Sequence, residues 1–237
     1  MSISFKRVRA IFVKDYKEFS RNYAISIMLI FPITFALLLR GVTSSVPVAL
    51  GFVLNISFVI LTSLVQACLI AEEKERNTLR SLMMTPATAM DVLIGKSSLV
   101  FVMSAVVLAI TTFIFGYEPP SIWAFVAVII LSIILYTAAG TICGLFSKTL
   151  LDATLTVIPV AAVFTSAPYG GAMLATKFPV FKVLDYMPSS QLVHLLSVSN
   201  AGSTMEGLLK PILITLAWTV VLTIVSVLFY QRRLKDE

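Results

Sequence analysis

Two uninterrupted apolar runs, residues 92–116 and 121–146, are separated only by Tyr117-Glu118-Pro119-Pro120. A helix needs about 20 residues to cross a hydrocarbon core of roughly 30 Å. Each run is long enough to cross it, and the tight turn between them sends the second back beside the first. Further runs at 23–39, 46–71, 151–168 and 209–230 have the same character. A membrane barrel would be written as short alternating segments, which these are not. The expected fold is an all-α integral membrane protein with six transmembrane helices, one domain over residues 1–237. Composition agrees: 58% of residues are hydrophobic and only 13% charged, with mean hydropathy +0.97. A soluble domain of this size could not enclose that much apolar surface.

Charge placement orients the spans. With six crossings and both ends on one side, fourteen of the 18 lysines and arginines share that side, and Arg40, Lys177, Lys182 and Lys210 fall opposite. The positive-inside rule then predicts both termini in the cytoplasm of a cell membrane, on a pattern that fits a prokaryotic plasma membrane. The cations track membrane boundaries and form no separate patch, so no nucleic-acid partner is expected. Cys68 and Cys143 fall inside predicted spans and read as small packing residues. The first 20 residues are polar and basic, and the first apolar run is too long and too distant for a cleavable signal.

Residues 3–21 place Phe5, Val8, Phe12, Tyr16 and Phe19 at three- and four-residue steps, with Lys6, Arg9, Lys14, Lys17 and Arg21 on other faces. This predicts an amphipathic helix in the inner interface, its aromatics in the acyl region; a helix packed on a soluble partner is the alternative. Pro32 should kink the first span. In the second, Asn55, Thr62 and Gln66 recur at steps of seven and four, which puts them on one helical face. In lipid such a stripe faces protein or water, as interhelical hydrogen bonds or as a substrate path. Thr154 in the fifth span joins them as a candidate for the path. Gly140 and Gly144 form a GxxxG step where another backbone can approach, within the chain or in a dimer. Residues 169–208 hold Gly170, Gly171, Pro179, Pro188 and Gly202 and read as an external segment, with a short re-entrant or surface helix after Ser189.

Intramembrane chemistry finds no support. Glu72-Glu73 followed by Arg76 misses the EExxxR spacing of intramembrane proteases by one position, and His194, the one histidine, is predicted on the opposite side. HExxH and GxSxG are absent, so neither a zinc site nor a serine nucleophile is written into the chain. Gly95-Lys96-Ser97 resembles the tail of a phosphate-binding loop, but the first glycine of that loop would fall at Met90. Lys96 is expected instead as an interfacial anchor. No catalytic residue, metal or cofactor is assigned to this chain.

The densest charge lies between the second and third runs, Glu72-Glu73-Lys74-Glu75-Arg76 and then Arg80. Glu72 and Arg76 can pair at i, i+4, worth roughly 0.3 kcal/mol when exposed. Leu79, Leu82 and Met83 would share one helical face, and Thr85-Pro86 stops the helix. From Ile70 through Lys96 the sequence resembles the signature of type-two ATP-binding-cassette (ABC) exporter permeases: a Glu-Lys-Glu-Arg core followed by Thr-Leu, a Leu-rich turn, a Thr-Pro stop and Gly-Lys at the next span. Asn77 stands where that family usually has glycine, and Arg80 where an acidic residue is common. The layout is similar as well, from interfacial helix through six spans to an irregular external segment.

The resemblance implies a permease half that is not itself an enzyme. Two such subunits, a homodimer or a pair with a sister permease, form the pathway. Separate cytoplasmic ABC ATPase subunits bind ATP and Mg. Residues 72–86 would be the coupling helix seated on the ATPase, with Glu72, Glu73, Arg76, Leu79, Leu82 and Met83 as its contact residues. Substrate identity is not indicated. The competing readings are a membrane scaffold or immunity protein without transport, and an intramembrane hydrolase.

Overall fold

The computed structural model describes residues 4–23, 27–41, 45–76, 88–174, 178–198 and 205–236. Helix α1 spans Phe5–Arg21. A short 3-10 turn, Ile27–Leu29, leads into α2, Ile30–Leu39. Helix α3 runs continuously over Val46–Glu75, α4 over Ala89–Phe115, α5 over Ile122–Phe146 and α6 over Leu150–Leu174. A 3-10 segment, Pro179–Tyr186, precedes α7, Pro188–Ser197, and α8 closes the chain at Met205–Asp236. The described residues are all helical or in turns, and five helices are long and apolar enough to cross a membrane: α3, α4, α5, α6 and α8.

The first predicted span is a shorter apolar helix, Ile27–Leu39. Pro32 falls in the first turn of α2, just after the 3-10 turn, where the missing N–H removes only a bond to Met28.

Helix α3 is the axis of the bundle. Its Asn55 Nδ2 donates to the Ser189 carbonyl of α7 at 3.2 Å. Thr62 and Ser104 of α4 share a hydrogen bond at 2.9 Å, and Gln66 Nε2 donates to Thr141 Oγ1 of α5 at 3.0 Å. All three stripe residues are buried, each bonded to a different helix. Such bonds are worth about 0.6 kcal/mol on average in membrane bundles, so the stripe sets register more than it drives assembly.

Packing of α5 on α3 is closest at the two glycines. A Cβ on Gly140 would collide with the Ser63 carbonyl oxygen, and one on Gly144 would lie 2.8 Å from the Ala67 carbonyl oxygen. Residues Phe58–Leu64 of α3 form a π-helical stretch at this contact. Ser63 Oγ there donates to the Tyr136 carbonyl at 2.7 Å. Phe58 stacks on Tyr136 at 5.2 Å, and Phe164 of α6 meets the same ring edge-on.

Residues 178–198 fold back onto the bundle. Leu192, Leu195 and Leu196 of α7 are buried, and Val193 fills the space left by Gly51 of α3, with Val193 Cγ2 3.0 Å from where a Cβ would lie. Tyr117, from the turn between α4 and α5, donates its hydroxyl to the Leu196 carbonyl at 3.1 Å. The expected helix after Ser189 is therefore present, and its apolar face is covered by protein.

Candidate functional site

The charged end of α3 is built around Lys96, in the third turn of α4. Its ammonium lies 2.9 Å from Glu73 Oε1 and 3.2 Å from Asp15 Oδ2 of α1. It also donates to the Leu69 carbonyl at 3.4 Å. Lys14 completes the cluster, 3.1 Å from Glu73 Oε1 and 3.5 Å from Asp15 Oδ1. Lys96 is 2% exposed, Asp15 0% and Glu73 4%. Charges this dry persist only when paired; Lys14, which is partly exposed, also reaches Glu18 Oε2 at 3.5 Å. Burial pushes the Asp15 carboxyl above the ordinary carboxylate range; the Lys96 ammonium opposes that shift and the Glu73 carboxylate adds to it. Lys96 is thus no interfacial anchor. Asp15 and Glu73 hold it inside, because an ammonium with two carboxylates in reach gains more from them than from snorkelling to water.

A second tie lies one turn earlier on α4. Asp91 and Thr88 form a capping box: the Asp91 N–H donates to Thr88 Oγ1 at 3.1 Å and the Thr88 N–H to Asp91 Oδ2 at 2.9 Å. The same carboxylate meets Arg7 Nε at 2.8 Å and accepts from the Ser4 N–H at 2.9 Å. Between the two ties α1 presses on Gly95, where a Cβ would lie 2.7 Å from Ile11 Cγ2. The face of α1 turned to the protein therefore carries Ile11, Asp15 and Phe19. Of the aromatics expected together on the lipid side, Phe5 and Tyr16 are exposed and Phe19 is buried. Gly95→Val is expected to lift α1 from α4 and expose Asp15. A cysteine at Phe19, buried on the same face of α1, should then react with a water-soluble maleimide several times faster than in the parent, roughly the factor that 1–2 kcal/mol of overpacking gives; an unchanged rate would contradict the contact.

The opposite side of the α3 terminus is tied to the turn between α5 and α6. Lys74 Nζ donates to the Leu145 and Ser147 carbonyls, both at 2.7 Å. Glu75 Oε2 accepts the Leu150 N–H at 3.0 Å. Glu72 pairs with Arg76 at 2.7 Å, the i, i+4 pair expected from the sequence. Each of residues 72–76 is thus fixed to something, and through them α3 is fastened to α1, α4, α5 and α6. Among the described residues no three His, Cys, Asp or Glu side chains come together as a metal site.

The family model of the ABC-2 family transporter proteins matches residues 8–228. The chain belongs to that family. No curated protein matches it. Membership makes it a multi-pass ABC transporter permease component, and the ABC-2 match covers α2 through α7 entirely and all but the ends of α1 and α8.

In this ABC-2 chain the candidate contact residues divide at Arg76. Glu72, Glu73 and Arg76 are placed as described, whereas Leu79, Leu82 and Met83 lie outside the described residues. Of the residues expected along a substrate path, Asn55, Thr62 and Gln66 are interior and bonded. Thr154 is exposed on α6, its hydroxyl donating to the Leu150 carbonyl at 3.0 Å. Sequence reasoning missed Asp15, Lys14 and Lys96 as a unit. The available signal was Asp15 itself, an acidic side chain at i+4 from Ile11 and i−4 from Phe19, on an apolar face where only a buried cation would keep it.

Proposed function

We propose that this permease is one transmembrane half of an ABC exporter, carrying a substrate out of the cytoplasm on ATP hydrolysed by a separate ATPase subunit that also holds the Mg. Two copies, or one copy with a sister permease, would line the pathway. Residues 23–39 count in this reading as the first of six spans, α1 lies along the inner leaflet, and both termini are cytoplasmic. Glu72, Glu73 and Arg76 form the root of the coupling segment, and Leu79, Leu82 and Met83 its apolar grip on the ATPase, a helix seated in a groove with flanking charges fixing its orientation.

One observation carries this reading: the ion-paired cluster of buried Lys96, Asp15 and Glu73 with half-buried Lys14 at the root of residues 72–86. A loop that merely joined two spans would not need its first residues fastened to four helices. A lever would. Nucleotide-driven closure of the ATPase pair could then bias the bundle between two packings. Substrate would meet Thr154 first. Asn55, Thr62 and Gln66 would reach it only in a second packing where α3 turns and their interhelical bonds open.

The test is topology joined to partner capture. A Thr78→Cys variant in intact cells should resist a membrane-impermeant maleimide and react after the inner face is opened. An ABC ATPase subunit should co-purify with the permease in mild detergent. Labelling of Thr78→Cys from outside would refute the exporter reading, and purification without any nucleotide-binding subunit would favour a scaffold.

A further inference from the structure

Phe229 of α8 meets Phe146 at the Lys74 end of the bundle, so α8 begins at the opposite end. There the 3-10 segment Pro179–Tyr186, α7 and the start of α8 enclose an open cleft of about 410 Å³. Lys182, Asp185 and Tyr186 line it from the segment, Gln191 and His194 from α7, and Lys210 from α8. Its walls are tied together. Ser190 Oγ donates to the Leu184 carbonyl at 2.7 Å and Gln191 Nε2 to the Asp185 carbonyl, which hooks the segment onto the first turn of α7. From α8, Trp218 Nε1 donates to the Tyr186 carbonyl at 3.0 Å. Trp218 lies eleven residues into the apolar stretch that begins at Gly207, about 16 Å at 1.5 Å per residue. An indole spans only part of that distance, so Tyr186 is level with the first turns of the span and not beyond its end.

At that level the protein presents both apolar surface and charge. Val180 is 79% and Val183 69% exposed on the segment, and Phe178 beside them is exposed as well. On α8, Leu209, Leu213 and Leu216 are exposed at steps of four and three, an apolar track that runs from the cleft into the bilayer. Lys182 and Lys210 stand where this apolar surface begins. The Lys210 ammonium lies 5.8 Å from the centre of the Tyr186 ring, a cation–π contact that steadies it without neutralising it. Among the described residues neither lysine has a carboxylate within ion-pair distance. His194, exposed on α7, adds a ring N–H donor. Leaving His194 aside, two lysines against Asp185 give the described lining a net charge of +1. Cations at a membrane boundary draw anionic head groups, and a single positive charge is balanced by one phosphodiester.

We propose that this cleft binds the head of an anionic phospholipid. Lys182 and Lys210 hold its phosphodiester with His194 as a further donor, and its acyl chains lie along Leu209, Leu213 and Leu216 of α8. Asp185 sets the limit on charge, because a second negative group on the head would meet its carboxylate. Cavities of about 300–1,000 Å³ take a ligand of head-group size, and the apolar track favours a lipid over a soluble phosphate. This inference is separate from the exporter reading: it concerns one lipid at one end of one subunit and needs neither ATP nor transport.

The test uses the whole permease in nanodiscs with a photoactivatable phosphatidylglycerol, run in parallel with a photoactivatable phosphatidylcholine of the same acyl chains. Phosphatidylglycerol should label peptides within residues 178–216 several times more than phosphatidylcholine does. Lys182→Gln with Lys210→Gln should lower that labelling about tenfold. Asp185→Asn should raise it about twofold, a change of the opposite sign that mere loosening of the cleft would not give. Soluble glycerol phosphate at millimolar concentration should leave the labelling intact. Equal labelling by the two lipids, indifference to the lysine substitutions, or a fall with Asp185→Asn would each overturn the proposal. Loss of labelling to glycerol phosphate would overturn it by making the site one for a soluble phosphate. A disulfide between two permease copies carrying Val183→Cys would do so by giving this face to a second subunit. Should a variant fail to fold, the two-lipid comparison and the glycerol phosphate competition on the unaltered chain still decide the matter.

Discussion

Lys96→Met should destabilise the folded permease by about 3–5 kcal/mol, the cost of stranding buried charge when one partner of a dry ion pair is removed. Without the ammonium, Asp15 and Glu73 keep only Lys14, whose side chain is 35% exposed and which cannot occupy the interior site as well. On roughly 2–4 °C per kcal/mol for a chain of this length, the melting midpoint in detergent should fall by about 10 °C. The decisive variant is the triple substitution Lys96→Met, Asp15→Asn, Glu73→Gln. Removing the charges together eliminates the penalty, and buried ion clusters exchanged for neutral groups are often tolerated, so most of the midpoint should return. A single mutant that melts like the parent would mean the cluster is hydrated. A triple mutant no better than the single would mean that shape rather than charge holds α1 on α4.

Gly140→Val is expected to be the most damaging substitution at the contact between α3 and α5. Its Cβ would meet the Ser63 carbonyl oxygen and Cα, the latter at 2.8 Å, and backbone cannot rotate aside as a side chain can. Overpacking of cores costs about 1–3 kcal/mol where side chains yield, so the cost here should sit at or beyond the top of that range. Gly170→Val is the control, because nothing lies within 4 Å of its Cβ position. Folded yield after size exclusion should drop severalfold for Gly140→Val and stay near the parental level for Gly170→Val. Equal yields would show that α3 and α5 do not meet at the distance described.

Much of this architecture could be read from residue order because membrane helices announce themselves locally. Twenty apolar residues in a row need no tertiary information, which is why the runs at 92–116 and 121–146 coincide closely with α4 and α5. The GxxxG step likewise carried its meaning within five residues, and Glu72 with Arg76 within one turn. What sequence could not supply were contacts between distant residues. Asp15 and Lys96 are 81 positions apart, and although Asp15 on its apolar face calls for a buried cation, nothing local says which one. Without that pair, Lys96 looks like an anchor and α1 like a helix with its aromatics in lipid. The burial of α7 was hidden for the same reason, since it depends on Gly51 leaving room for Val193 and on Asn55 reaching the Ser189 carbonyl.

The claim that residues 72–86 transmit work from a soluble ATPase is tested most directly by ATP hydrolysis in proteoliposomes containing the permease with its ATPase subunit. Leu82→Asp places a charge in the proposed apolar grip while leaving the Lys96 cluster intact. Insertion and folded yield should match the parent, while stimulation of hydrolysis by the permease and net transport should both fall by about tenfold or more, the effect of roughly 1.4 kcal/mol lost at one docking contact. Parental rates of stimulated hydrolysis and transport in that variant would contradict the account.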